Sequence, residues 1–100
     1  MITLTQDNFE AATKASPLLL IDFWAAWCGP CRALAPQLEK LQQKYPDLVI
    51  GKVNVDEQPE LSQKFGIASI PMMVLFREGQ PVKQMVGVAS ASTIAETFEL

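Results

Sequence analysis

The chain contains no histidine and only two cysteines among its 100 residues. Structural zinc takes four protein ligands, chiefly Cys and His, so a zinc site here would need carboxylates or a second chain. We therefore expect no metal. A dimer that shares a cysteine-ligated metal, or a pair of inert buried thiols, remains an open alternative at this point.

Basic residues are scarce as well. Eight Lys and Arg stand against eleven Asp and Glu, for a net charge of −3, and the basic residues are scattered rather than clustered. Nucleic acids and anionic membranes are recognised by basic stripes, so we expect neither partner. No apolar run reaches the roughly 18 residues of a membrane helix, and Met1 to Gln6 lack the pattern of a secretion signal. A cytoplasmic protein is expected, although a chain trimmed of a signal would look the same.

A hydrophobic content of 49% over 100 residues suits one domain, residues 1–100, which we expect to be monomeric. The pattern predicts the order βαβαβαββα, with Leu18–Trp24 as a central strand covered on both faces because it is almost unbroken apolar. Long early crossovers and a late hairpin imply an α/β fold with a mixed sheet and helices on both faces. The predicted strands cover residues 1–4, 18–24, 48–55, 72–76 and 82–88. The predicted helices are one capped by Thr5, one over 28–45 that Pro36 kinks without breaking, one over 60–65, and one after Ser90 or Ser92.

Both cysteines lie in one short stretch, Trp27-Cys28-Gly29-Pro30-Cys31. If Cys28 begins a helix, Cys31 lies one turn on and on the same face, about 5 to 6 Å away, which suits a disulfide. A disulfide that closes so small a ring removes little entropy from the unfolded chain and therefore adds little stability. This favours a redox-active disulfide over a structural one. Backbone N–H groups and the helix dipole favour the thiolate of Cys28, which we predict to be the nucleophile, with Cys31 as the resolving thiol.

Asp22 interrupts the apolar run of the central strand. An unpaired carboxylate in a core is costly and usually takes up a proton, so we expect its pKa to be raised. The alternative is an aspartate at a strand end that reaches solvent.

The Trp-Cys-Gly-Pro-Cys sequence resembles the active site of thioredoxins, and the resemblance extends over nearly the whole chain. Four further stretches match family landmarks in the right order: residues 20–28, 52–56, 65–71 and 86–87. The resemblance implies the thioredoxin fold and a protein dithiol-disulfide oxidoreductase that works through Cys28 and Cys31.

By this resemblance, Asp22 is the general acid/base for Cys31, and Lys52 approaches and modulates that aspartate. Without the family, Lys52 reads as a snorkelling surface residue. The resemblance also implies a cis bond before Pro71 and an apolar substrate-binding rim. The rim residues are Trp27, Gly29, Pro30, Ile70, Pro71, Val86, Gly87 and Val88.

No bound cofactor is implied, since the disulfide itself carries the electrons. The family draws them from NADPH through a flavin-containing thioredoxin reductase, and its targets include ribonucleotide reductase, peroxidases and methionine sulfoxide reductases. Two rivals remain: a thioredoxin-like oxidant or isomerase, and a binding module with incidental redox activity. Met72 and Met73 depart from the usual residues after the proline, and Ala26 and Ala68 replace positions that are often charged, which leaves target preference open.

Overall fold

The elements occur in the order predicted from the sequence, βαβαβαββα. The computed structural model describes all 100 residues. The strands are β1 (Ile2–Thr3), β2 (Leu18–Trp24), β3 (Val49–Asn54), β4 (Met72–Arg77) and β5 (Gln80–Val86), and the helices are α1 (Phe9–Ala15), α2 (Gly29–Lys44), α3 (Pro59–Lys64) and α4 (Ala91–Thr97).

The five strands form one mixed sheet in the order β1-β3-β2-β4-β5. β1 and β2 run parallel to β3, whereas β4 is antiparallel to β2 and β5 is antiparallel to β4. The parallel neighbours are joined by helical crossovers and the β4–β5 pair by a tight turn, as parallel and antiparallel pairing require. The predicted mixed sheet is therefore confirmed.

Helices cover both faces of the sheet. Successive side chains of β2 point to opposite faces, so alternate residues of this strand join two different parts of the core. Leu19, Ile21 and Phe23 join the core under α1 and α3. Leu20 joins the core under α2 and α4, and Asp22, two residues further along β2, points to that same face. The buried carboxyl group therefore lies on the side of the sheet that α2 covers.

Helix α2 begins directly after Cys28, its N-cap residue, and buries one stripe formed by Leu34, Leu38 and Leu41. The helix continues through Pro36, so the expectation of no break is confirmed. None of the four helices is long and apolar enough to cross a membrane.

The prediction that the Thr5 hydroxyl caps the first helix is wrong. α1 starts only at Phe9, and its N-cap residue, Asn8, makes no side-chain capping bond. The Asn8 side chain instead accepts the N–H of Thr5 at 2.8 Å, while the Thr5 carbonyl accepts the N–H groups of Asn8 and Phe9. Residues 6–8 thus form a hydrogen-bonded turn in place of the expected first helical turn.

The last strand spans Gln80–Val86 rather than residues 82–88. Arg77 pairs with Gln80, which leaves a two-residue turn whose members, Glu78 and Gly79, have φ of 49° and 80°. Two positive φ values in succession are typical of the hairpin turn that matches the twist of the strands. Gly87, with φ of 93°, then ends β5.

Replacing Gly51 by alanine should destabilise the fold. The new Cβ would lie 2.9 Å from Cγ of Leu4, which is itself 1% exposed and has no room to retreat. Overpacking of this kind costs about 1 to 3 kcal/mol of unfolding free energy, measurable by chemical denaturation. In a Leu4→Ala background the same change should cost little; an equal cost in both backgrounds would contradict a clash with Leu4.

Candidate redox site

Cys28 and Cys31 form a disulfide at the carboxyl end of β2, where the chain enters α2. Their Cα atoms are 5.2 Å apart, and both residues are buried. Together with Ala25 they form a small apolar cluster against which Trp24, Val55 and Ile70 pack. The predicted pairing is confirmed, and the possibility of two separate inert thiols is excluded.

The first turn of α2 provides a polar contact to one sulfur and not to the other. Sγ of Cys28 accepts the backbone N–H of Cys31 at 3.2 Å, as an N-cap side chain does. No acidic residue lies in this turn, so nothing there opposes negative charge on the sulfur. An N–H donor at a helix N-terminus favours a thiolate over a thiol. The two residues are similarly buried, at 5% and 4% exposed, whereas only the Cys28 sulfur receives this contact.

Two side-chain contacts hold the loop that precedes the disulfide. Nη1 of Arg32 donates to the carbonyl oxygen of Ala26 at 2.8 Å, and Nε1 of Trp27 donates to Asp56 at 2.8 Å. Neither Arg32 nor Asp56 was among the predicted site residues. The Arg32 contact spans a loop and the Asp56 contact joins separate elements, so no local pattern could have indicated them.

The Ile70–Pro71 peptide bond is cis, as the family resemblance implied. The carbonyl oxygen of Ile70 lies 4.0 Å from Sγ of Cys28, and the carbonyl oxygen of Pro71 accepts the N–H of Gly87 at 2.8 Å. Val86 pairs with Met72, the residue after the proline. The structure thus brings the 70–71 and 86–87 segments of the predicted rim together beside the disulfide.

The remaining rim residues are exposed. Trp27 is 69% exposed, the largest value among the big apolar side chains, and Val86 and Val88 are 56% and 46% exposed. Gly29 and Pro30 are exposed as well, in the first turn of α2. Ile70 is half-buried and Pro71 is buried, so Pro71 contributes chiefly packing. Val88 follows Gly87 in the chain, but no hydrogen bond or strand pairing connects it to the other rim residues.

Asp22 is 1% exposed, and its Oδ1 has no hydrogen-bond partner in the protein. Burial raises its pKa from 3.8 to about 6, and the positive charge of Lys52 lowers it only partly. The raised pKa predicted from the sequence is confirmed, whereas the alternative of an aspartate reaching solvent is wrong. A carboxyl group that ionises close to neutral pH can exchange protons there.

Lys52 lies directly opposite Asp22 on the neighbouring strand β3. The only ion pair within 4.0 Å is Glu10–Lys14, so the Lys52 ammonium does not contact the Asp22 carboxylate. Nζ of Lys52 instead lies 4.3 Å from the centre of the Trp24 ring. The lysine therefore influences Asp22 from a distance.

No cluster of three or more His, Cys, Asp or Glu side chains is arranged to hold a metal. The largest surface groove, about 700 Å³, is lined by residues of α1, α3 and the β4–β5 turn, and the cysteines are not among them. The redox pair therefore does not lie in this groove.

The model of the family described as Thioredoxin matches residues 1–99. This chain belongs to the thioredoxin family. It is 52% identical to a thioredoxin of Alicyclobacillus acidocaldarius over 86% of this chain and 83% of that protein. It is 45% identical to thioredoxin 1 of Synechococcus elongatus over 96% of this chain and 92% of that protein.

Among solved structures, the oxidised form of mitochondrial thioredoxin 3 of Saccharomyces cerevisiae superimposes with a TM-score of 0.91. The two sequences are 34% identical, and the match covers 100% of this chain and 95% of the yeast chain. The chain is accordingly a protein dithiol-disulfide oxidoreductase that acts on disulfide-containing proteins, and Cys28 and Cys31 form its redox-active pair.

The raised pKa of Asp22 makes the folding stability depend on pH. The unfolded chain loses this proton near pH 3.8 and the folded chain near pH 6, so ionisation favours unfolding between those values. Stability contributed by this group is complete below about pH 3.8 and falls by about 3 kcal/mol as the pH rises through about 6. Asp22→Asn should therefore gain stability relative to the parent over this range and hold the gain above it. Chemical denaturation of both oxidised proteins measures the difference, and a difference that does not change with pH would contradict the assignment.

Proposed function

We propose that this protein reduces disulfides of target proteins, with Cys28 as the attacking thiolate and Cys31 as the resolving thiol. The observation that carries the assignment is the N–H of Cys31, which donates to Sγ of Cys28 at the start of α2. The same donor stabilises the thiolate when the pair is reduced. Cys31, which caps nothing, has no matching contact.

Reduction proceeds in two exchanges. The Cys28 thiolate attacks one sulfur of the target disulfide, and the other sulfur leaves as a thiolate, so a mixed disulfide forms. The Cys31 thiolate then attacks Sγ of Cys28, which forms the Cys28–Cys31 disulfide and releases the second target sulfur. Two electrons pass to the target, and each target thiolate takes a proton.

Asp22 is the general base that accepts the Cys31 proton before the second exchange. Its pKa of about 6 suits this role, because a base is most effective when its pKa lies near the working pH. Asp22 lies on the sheet face that α2 covers, and Cys31 lies in the first turn of α2. Lys52 modulates the carboxyl group through its charge, which lowers the Asp22 pKa.

The rim around the disulfide binds an extended segment of the target. The exposed Trp27 and Val86 offer apolar surface, and the Ile70 backbone beside Cys28 can pair with a strand of the target by β-augmentation. Gly29, Pro30, Pro71, Gly87 and Val88 complete the rim. Such a surface selects exposed, flexible disulfides more than particular side chains.

The oxidised protein is reduced again by a flavin-containing thioredoxin reductase that draws on NADPH, in the cytoplasm. Its targets include ribonucleotide reductase, peroxidases and methionine sulfoxide reductases, and it acts as a monomer. Family membership supports this assignment. An oxidising or isomerising role is the nearest rival, and equilibration with glutathione buffers of known potential would separate the two.

Cys31→Ser should accumulate mixed disulfides with target proteins, because attack by Cys28 remains while resolution is lost. Cys28→Ser is the matched control and should accumulate none. Non-reducing electrophoresis with a disulfide substrate measures both. Equal trapping by the two variants would overturn the assignment of roles, and binding by the double serine variant would favour the binding-module alternative.

Asp22→Ala should slow reduction of an insulin-type substrate by about tenfold or more near neutral pH, since the resolving thiol loses its base. Its stability should be unchanged or increased, because a desolvated carboxylate is removed and only a small cavity is left. A reductase-coupled assay and denaturation on the same preparation measure both effects. A variant that is clearly less stable yet fully active would show that Asp22 is purely structural.

A further inference from the structure

The indole of Trp24 lies under the Lys52 ammonium, and Trp24 also packs against the cluster that contains the disulfide. Trp24 is half-buried and packs against the cluster of Ala25, Cys28 and Cys31. The centre of its ring is 4.3 Å from Nζ of Lys52. Trp24 also stands two residues after Asp22 on β2, so its side chain projects from the same face of the sheet. It therefore adjoins the groups assigned to the thiol exchange and to its proton transfer.

Lys52 has two available partners, and only one of them holds its ammonium group. Its backbone is directly opposite Asp22, which would place a carboxylate within reach of its side chain. No Lys52–Asp22 contact exists within 4.0 Å, and the ammonium lies over the Trp24 ring. An ion pair with Asp22 would carry the ammonium into a site that is 1% exposed, with the desolvation that this entails. Over the Trp24 ring face, the Lys52 ammonium gains a cation–π attraction and stays partly hydrated.

The space beside the ring suits a hydrated ammonium. A small cavity of about 170 Å³ is lined by Trp24 and Lys52 together with polar residues, among them Thr3, Asn54 and Glu57. Cation–π contact within about 6 Å of a ring centre is attractive, and tryptophan is the strongest such partner. The contact at 4.3 Å is well inside that limit.

We propose that Trp24 is a positioning residue, whose ring holds the Lys52 ammonium away from Asp22 so that the carboxyl group can both take up and release a proton. The proposal rests on the proposed role of Asp22 and deepens it. Trp24 touches neither the proton nor the carboxyl oxygens in this scheme. It affects Asp22 only through the position in which it holds the Lys52 ammonium.

Few other charges face Asp22 from the elements around it. On β4 its partner is Met73, which is uncharged, and on β3 its partner is Lys52. Helix α2, which covers this face of the sheet, carries Cys31 in its first turn, where it is in the disulfide and titrates only after reduction. Glu57 lines the cavity beside Lys52, yet only Lys52 opposes the effect of burial on the Asp22 pKa. The position of one ammonium group therefore sets the charge balance at the carboxyl group.

Release of that ammonium has a definite consequence. An opposite charge in contact with a carboxylate favours its ionised form and lowers its pKa by about one to three units. Asp22 would then hold its proton only in more acidic solution and would be a weaker base for a thiol near neutral pH.

The test is a ¹³C NMR titration of the Asp22 carboxyl group in the oxidised protein, with the signal assigned from Asp22→Asn. Trp24→Leu keeps an apolar side chain but removes the ring, and it should lower the Asp22 pKa by about one unit or more. The same change made together with Lys52→Met, which keeps the length of the side chain and removes its charge, should not lower the pKa. Trp24→Phe keeps a weaker ring face and should give a smaller shift that also needs Lys52.

An equal lowering with and without Lys52 would mean that Trp24 acts by packing alone and would overturn the proposal, as would no lowering with Trp24→Leu. If Trp24→Leu does not fold, Trp24→Phe decides the matter by the same criterion. The titration involves no turnover, so it is independent of the catalytic role of Asp22. If the Asp22 pKa shifts with Lys52 but the pH profile of mixed-disulfide resolution does not, the positioning stands and the proposed base is wrong.

Discussion

Burial of β2 on both faces and along both edges is the constraint on which the redox site depends. The strand pairs with β3 and β4, and residues 19–23 are all buried. A shift of one residue would turn Asp22 to the opposite face and expose part of the core, so the register is strongly determined. The end of β2 and the start of α2 are fixed with it. That junction places Cys28 at the N-cap and the N–H of Cys31 on its sulfur.

The same burial makes Asp22, the proposed proton-transfer group, costly to fold. Asp22 has no hydrogen-bond partner for Oδ1, and the nearest cation rests on Trp24 instead of forming an ion pair. A paired carboxylate would be more stable and would also be a weaker base near neutral pH. The arrangement is typical of functional sites, in which part of the folding free energy is given up for reactivity.

Much of the fold could be predicted because its signals are local. The apolar run of residues 18–24 indicated a central strand. Helix α3 starts at Pro59 and is followed by Gly66, and both are local signals, since proline suits the first helical turn and glycine a position past the end. The errors also have local causes. The Asn8 side chain competes for the backbone near Thr5, and Glu78 adopts a positive φ because the turn geometry demands it. Propensity alone does not decide such competitions.

The sequence by itself determined the family, the spacing that lets Cys28 and Cys31 pair, and the presence of a carboxyl group in an apolar strand. These depend on neighbours along the chain. Only the tertiary structure decided that Trp27 binds Asp56, 29 residues away, that the Ile70 carbonyl stands 4.0 Å from the Cys28 sulfur, and that Lys52 rests on Trp24. These contacts depend on which strands and helices become neighbours in the fold, and hydrophobic periodicity along the chain does not specify those neighbours.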